Sequence, residues 1–444
     1  MDQDQLHEEE KKCIQESPPG CTAACPVHMD VRGMIAAILR NDFSAGFKIF
    51  RKTVPFPGII SRICDQPCLT QCRRNETDSP VAIRSLEKFC VDNNTDPPAK
   101  VITPPAKNRK VAIIGAGLSG LTAAIDLMQK GITAVIFEKT GGIGGTINKI
   151  PEEILPGDII KNDFAFLNTL PLPINLDREI GNSGGPGISF DTILNDYDAV
   201  YIGTGTGTMD QLKSWLNTDN IEIDPVSLFT GISKVFAGGG LRNGTVSPIT
   251  SISDGKTASN SINRFLQNAS LTADRGKEGS FITDLYTVTE GVIPQPVTPV
   301  SDPVKGYNSE EALTEARRCL LCQCMECVKE CEYLAHYNGY PRKYVREIYN
   351  NLSIVMGIHH SNRMINSCSL CGLCADICPN DMDMGEICLN ARQLMVKKGK
   401  MPPSAHEFAL RDMDFSNSGR FMLAKHQPGT SASSMVFFPG CQLS

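Results

Sequence analysis

Cys368, Cys371, Cys374 and Cys378, with Pro379 at the end, form a C-x2-C-x2-C-x3-C-P run. This spacing holds [4Fe–4S] clusters in pairs: three thiolates wrap one corner of a cube, and the fourth, turned away at its proline, serves a second cube. The run therefore predicts a partner, and Cys319, Cys322, Cys324, Cys327 and Cys331 stand upstream. Five cysteines there compete for four roles. Cys324, Cys327 and Cys331 fit the end of the pattern, Cys322 is taken as the first ligand, and Cys319 as the spare. By the crossing rule Cys378 joins Cys322, Cys324 and Cys327, while Cys331 joins Cys368, Cys371 and Cys374. Zinc sites pair two C-x2-C knuckles and do not need the C-x3-C-P end. Cys388 lies beyond the motif and is expected to be structural.

A second chemistry sits mid-chain. Lys110-Val111-Ala112-Ile113-Ile114 has strand character, Gly115-Ala116-Gly117-Leu118-Ser119-Gly120 follows at once, and a helical stretch runs to Lys130. A second strand, Ala134 to Phe137, is closed by Glu138. In such a strand–turn–helix–strand unit, Gly115, Gly117 and Gly120 allow a tight turn and close packing, pyrophosphate rests on the helix N-terminus, and the acid binds ribose hydroxyls. The turn alone leaves FAD and NAD both open. The residues after it favour FAD. Gly141-Gly142-Ile143-Gly144-Gly145, Ile150-Pro151-Glu152, the strand and turn from Asp196 to Gly205, and Val235-Phe236-Ala237-Gly238-Gly239 resemble the flavin domain of the glutamate synthase small subunit and of dihydropyrimidine dehydrogenase. The resemblance implies FAD held by Gly115, Gly117, Gly120, Glu138, Lys139, Gly144, Gly145, Thr204 and Gly239. That family inserts an NADPH-binding domain between the last two landmarks. Here only Thr208 to Lys234 stand there, about the length of one βαβ unit. The pyridine-nucleotide domain is therefore expected to be missing. The acid that closes the family's flavin site is replaced by Gly240.

The N-terminal residues resemble the same family. Cys21-x3-Cys25-Pro26, Pro55-Phe56-Pro57, Arg62-Ile63-Cys64, Pro67-Cys68, Cys72-Arg73, Pro80 to Ile83 and Leu86-Glu87 match its helical iron–sulfur domain. The resemblance implies two [4Fe–4S] clusters, one on Cys25, Cys64, Cys68 and Glu87, the other on Cys13, Cys21 and Cys72. The family's fourth ligand of the second cluster falls on Glu16, a hard ligand for an iron–sulfur site. Cys90 is expected to be a buried structural thiol.

The elements that must position these residues follow from composition shifts along the 444 residues. Proline-rich stretches follow Asn94 and Gly291, and residues 110 to about 285 contain no cysteine among the chain's 18. The expected fold is multidomain α/β. Residues 1–100 form a helical iron–sulfur domain, 108–285 a Rossmann-like FAD domain, 286–308 a linker, 309–400 a helical ferredoxin-like dicluster domain, and 401–444 a tail. Val436 to Cys441 resemble the opening of a heterodisulfide-reductase-type cysteine-rich domain, which suggests a fragment. The net charge of −6 disfavours nucleic acid, no run of eighteen apolar residues predicts a transmembrane helix, and the acidic start does not resemble a signal peptide. Thiol clusters beside cofactor motifs point to a cytoplasmic protein. The expected function is that of an FAD-containing electron-transfer subunit with about four [4Fe–4S] clusters. Its partners would be other redox subunits, with ferredoxin as one candidate. A self-sufficient NAD(P)H-dependent reductase and a non-catalytic assembly scaffold are the alternatives.

Overall fold

The computed structural model describes residues 3–95, 101–181, 187–244, 247–401, 406–421 and 425–435. Val436 to Ser444 lie outside them, and so does the expected opening of a cysteine-rich domain. The chain divides into two compact units, one of Ile14–Cys324, the other of Met1–Cys13 with Met325–Ser444.

The larger unit is built on a five-stranded sheet. Its strands are β1 (Lys110–Ile114), β2 (Thr133–Phe137), β3 (Ile174–Asn175), β4 (Ala199–Ile202) and β5 (Val235–Ala237), in the order β3-β2-β1-β4-β5 and all parallel. β1 is the pivot: Ile113 pairs with Ile136 on one side and Tyr201 on the other. A parallel sheet is covered on both faces, so its strands read as unbroken apolar runs. Helix Leu118–Gln129 follows β1 and packs against the 19-residue helix Pro248–Leu266. Between β4 and β5 there is one helix, Met209–Leu216, and a loop. The interval thus holds no second nucleotide-binding unit.

The N-terminal helices do not form a separate body. Val31–Leu39 and Phe43–Thr53 are started by Asp30 and Asp42, whose carboxylates accept the amides of Gly33 and Ala45, each at 2.9 Å. Their apolar faces share one continuous core with the sheet domain, running from Ile35, Phe50, Phe56 and Leu86 to Leu121, Ile125 and Ile252. Asp163 bridges the same junction, accepting the Ile59 amide at 2.7 Å. The expected boundary near residue 100 is therefore not a structural one. Nor is 286–308 a free linker. Its backbone amides are taken by carboxylates of the packed body: Gln295 by Asp78 at 2.8 Å, and Thr298 by Glu315 at 2.9 Å. Helix Ser309–Arg317 carries a capping box between Asn308 and Glu311 and belongs to this unit. The division falls at 324, not at 309.

The smaller unit is helical: Glu326–Glu330, Glu332–His336, Pro341–Ser353, Ser361–Ser367, Leu373–Ile377 and Met384–Lys397 surround Leu334, Ile348, Ile365, Ile387 and Met395. Helix Gln3–Lys12 completes it. Leu6 and Cys13 enter that core, Glu10 pairs with Arg342 at 3.3 Å and Arg346 at 2.8 Å, and Asn380 donates to the Lys12 carbonyl. Among the described residues no helix is long and apolar enough to cross a membrane.

Candidate redox sites

The C-terminal ends of β1, β2, β4 and β5 open into a cavity of about 650 Å³. It lies where strand order reverses between β1 and β4, the place where doubly wound sheets bind ligands. Gly115 turns the chain at φ +105°, and a Cβ there would stand 2.5 Å from the Gly203 carbonyl oxygen. At Gly120 a Cβ would come 2.0 Å from the Gly115 carbonyl oxygen, so turn and helix close on each other only through glycine. A Cβ on Gly117 would meet nothing within 4 Å, which leaves a cradle open at the N-terminus of helix Leu118–Gln129. Glu138 is buried at the end of β2. One of its oxygens accepts the Ala116 amide at 2.8 Å, the other the Thr140 amide at 2.9 Å and hydroxyl at 2.8 Å. The oxygen bonded to Ala116 keeps a second lone pair for a sugar hydroxyl. Lys139, Arg178 and Lys149 supply positive charge to the lining, and Gly145, Thr204 and Gly239 complete it. Gly144 stands behind, its amide on the Ala116 carbonyl at 2.8 Å. Gly240 cannot be replaced by an acid without cost, since a Cβ would lie 3.0 Å from the Thr206 amide. The cavity's size, glycine cradle and cationic lining fit a dinucleotide.

Beside it, Cys25, Cys64, Cys68 and Glu87 line one small cavity with apolar walls from Met29, Val31, Phe50 and Ile60. Three elements bring them together: the turn after Ala24, the end of helix Pro57–Ile63 with the short Pro67–Gln71 turn, and helix Ile83–Asp92. Glu87 is 7% exposed. Burial pushes its carboxyl up to about 8, with Arg84 pulling back part of the shift. Burial also pushes the Cys64 thiol up to about 12. Three soft thiols and one buried carboxylate around an apolar-walled cavity fit an iron–sulfur cluster better than an empty core.

A second cavity is lined by Cys21, Cys72, Cys319 and Cys322. Here the structure departs from expectation. Cys13, expected with Cys21 and Cys72, belongs to the smaller unit and is buried in its core. Cys319, expected as the spare, and Cys322, expected with Cys327, stand in this cavity instead. Both sit with the N-terminal thiols because Arg318 is anchored there. Its guanidinium, 1% exposed, pairs with Glu315 at 2.7 Å and Asp78 at 3.2 Å and donates to the Ser79 carbonyl at 2.7 Å. Periodicity could not reveal this, since the linkage joins residues more than 200 positions apart. The one local signal was the buried-type pair Glu315 and Arg318 just before Cys319.

The three cavities form a row. Ile63 and Pro248 line the nucleotide cavity, while their chain neighbours Cys64 and Ile249 line the thiol–carboxylate cavity. Val31 lines both thiol cavities, and the Cys21 thiol is close enough to bear on Cys68.

In the smaller unit the thiols are local. Helices Glu326–Glu330 and Leu373–Ile377 pack together, each carrying one cysteine of its run, Cys327 and Cys374. Cys374 accepts the Met384 amide at 3.3 Å and has Cys331 as an electrostatic neighbour, as the crossing pattern requires. Cys371 is exposed, while Cys327, Cys331, Cys368 and Cys378 flank the core. Cys388 is fully buried beside Cys368 and the Tyr333 hydroxyl. Cys324 falls in the larger unit, its amide on Gln15 at 2.6 Å. Cys90 is fully buried against Gly46. Among the described residues no group of three or more His, Cys, Asp or Glu side chains is placed to hold a single metal ion.

Comparison with known proteins divides the chain the same way chemically. Three family models match: dihydropyrimidine dehydrogenase domain II, 4Fe-4S cluster, over residues 1–98; NAD(P)-binding Rossmann-like domain over 113–169; and 4Fe-4S dicluster domain over 318–383. The chain carries iron–sulfur domains on both sides of a Rossmann-like domain. It is 34% identical over 209 residues to the NADP(+)-dependent formate dehydrogenase subunit beta of Moorella thermoacetica, covering 42% of this chain and 29% of the relative. It is 33% identical over 192 residues to the NADPH-Fe(3+) oxidoreductase subunit beta of Geobacter sulfurreducens, covering 42% and 28%. The glutamate synthase [NADPH] small chain of Halomonas elongata is 30% identical over 202 residues, covering 44% and 42%. The chain thus spans less than half the length of these relatives.

Proposed function

We propose that this protein is the flavin- and cluster-bearing electron-transfer subunit of a larger oxidoreductase complex in the cytoplasm. The observation that carries the reading is the row of cavities. A dinucleotide cradle shares a wall one residue thick with a ring of three thiols and a carboxylate. When bound, FAD supplies two-electron chemistry and each [4Fe–4S] cluster one-electron chemistry. The chain's own residues bind and insulate: the β1 turn holds the pyrophosphate, Glu138 the ribose, and Met29, Val31, Phe50 and Ile60 keep water from the first cluster cavity. Cys25, Cys64, Cys68 and Glu87 are its ligands. Cys331, Cys368, Cys371 and Cys374 are the ligands of a cluster in the smaller unit, and Cys327 and Cys378 serve the other. Partner subunits, ferredoxin among the candidates, meet the ends of the row.

The absence of a nucleotide-binding unit between β4 and β5 sets this reading against a self-sufficient NAD(P)H reductase. Hydride transfer needs the nicotinamide held within roughly 3–3.5 Å of its acceptor, and the interval offers one helix and a loop. Anaerobic titration of the isolated, flavin-loaded chain with NADH and with NADPH tests this. No bleaching is expected until a partner subunit or a low-potential donor is added; rapid bleaching without either would defeat the reading. Iron, sulfide and released flavin, measured on the same preparation, separate it from a cofactor-free scaffold.

A further inference from the structure

We infer that Cys21, Cys72, Cys319 and Cys322 together ligate one [4Fe–4S] cluster, so that the chain closes a centre between its N-terminal helices and the segment that follows the sheet domain. The inference rests on the cluster-bearing reading above and replaces the ligand set that the sequence suggested for this centre.

Four thiols of two distant segments line one small cavity, whose remaining walls are Gly20, Val31, Ile35, Val81 and Ile83 with the stems of Arg73 and Arg74. Each thiol bears on the others: Cys21 senses Cys319, Cys322 and Cys72, and Cys319 senses Cys322 and Cys72. A structural thiol has no need of three thiol neighbours. A zinc ion would draw four sulfurs to about 2.3 Å from one point, and no such point is present among the described residues.

The groups around these sulfurs are those of a bound thiolate. The Leu321 amide donates to the Cys319 sulfur at 3.4 Å, from a residue held at φ +46°. The Gln66 amide makes the same 3.4 Å bond to Cys64, at φ +56°, in the neighbouring cavity. Leu321 and Gln66 thus pay the strain of left-handed backbone to aim an N–H at a sulfur. The buried Thr287 hydroxyl lies beside the Cys322 thiol and has no hydrogen-bond partner among the described residues, so its proton is left for a cluster sulfur. Arg73 lines the cavity with its Nε buried and without a partner. A buried, unmatched guanidinium nitrogen there suits a group with net negative charge, which a cluster bound by four thiolates carries.

The scaffold fixes the two late ligands. Arg32 donates to the Cys322 carbonyl at 2.8 Å. Arg318, next to Cys319, is locked by Glu315 and Asp78, and Glu315 accepts the Ala82 amide at 2.8 Å.

The test compares Cys319→Ala, Cys322→Ala and Cys13→Ala in the full chain, purified anaerobically, by iron content and EPR of the reduced protein. Cys319→Ala and Cys322→Ala should each lose about four irons and the same EPR signal, with flavin content retained as the check on folding. Cys13→Ala should keep that signal. The reverse result, with Cys13→Ala erasing the centre and Cys319→Ala sparing it, overturns the assignment. Thr287→Val guards against misfolding: it should keep all iron and lower the midpoint potential of this one centre, since a donor to sulfur favours the reduced cluster. Potentials unchanged at every centre would also overturn it. A wild-type chain without iron would instead sink the broader reading of function.

Discussion

The two thiol-bearing regions solve one chemical problem in opposite ways. In the smaller unit, four thiols come from twelve consecutive residues, Cys368 to Pro379, folded around one short helix that carries Cys374. In the larger unit, the thiols of one cavity stand at 21, 72, 319 and 322, and a carboxylate completes the other. The local site needs only its own turn and a neighbouring helix. The assembled sites need the sheet domain to be folded: the segment carrying Cys319 and Cys322 reaches the N-terminal helices only after the chain has passed through it, and the helices around Cys25, Cys64, Cys68 and Glu87 share one core with it. Damage to the sheet domain should therefore cost the assembled sites and spare the local ones.

The most severe way to probe this contrast is Gly120→Val. A Cβ 2.0 Å from the Gly115 carbonyl cannot be relieved by a rotamer change, so bound flavin should fall by about tenfold or more. Iron should drop toward about eight per chain, the quota of two four-iron clusters. Retention of all four clusters in a flavin-free chain would show that the cavities assemble without the sheet domain. Glu87 sharpens the contrast within the larger unit. Glu87→Ala should alter the EPR signal or potential of one centre only, because ligand identity sets potential. Identical spectra and potentials in Glu87→Ala and wild type would make the carboxylate a bystander.

A smaller effect is expected where the N-terminal helices meet the sheet domain. Burial lifts the Asp163 carboxyl to about 6, above an unfolded value near 3.9. The folded chain then holds the proton more tightly than the unfolded one. The stability from this group is full below about pH 4 and is lost as pH rises to about 6, by up to about 3 kcal/mol. Denaturant midpoints of wild type should fall across that window, and those of Asp163→Asn should change less. Equal slopes for the two chains would remove Asp163 from the account. The mildest case is Cys388→Ala, which separates packing from ligation in the smaller unit. Iron content should hold while stability falls by about 1 kcal/mol; loss of iron would make Cys388 a ligand.

Much of this was legible before any coordinates. The β1 turn, Glu138 and the short stretch from Thr208 to Lys234 follow from patterns no longer than a βαβ unit, and the structure shows them as one cavity and one helix with a loop. Cys25, Cys64, Cys68 and Glu87 were named together only through a resemblance, and three elements do converge them on one cavity. For Cys319 and Cys322 the structure shows neighbours that spacing did not suggest, Cys21 and Cys72. Spacing weighs nearby cysteines most heavily, and Cys322 lies two residues from Cys324. Yet Cys322 lines a cavity with the N-terminal thiols, while Cys327 belongs to the smaller unit, which resumes at Met325.

By itself, then, the sequence determined the kinds of chemistry: soft thiolates in cluster spacing, a glycine turn for pyrophosphate, and too few residues for a second nucleotide domain. These are properties of short segments, whose geometry is set by backbone sterics and residue type. Tertiary structure decided which thiols share a cavity. That choice rests on the buried Glu315–Arg318–Asp78 network and on the single core joining the N-terminal helices to the sheet. Interactions between residues hundreds of positions apart leave no period in the chain, so only the folded molecule displays them.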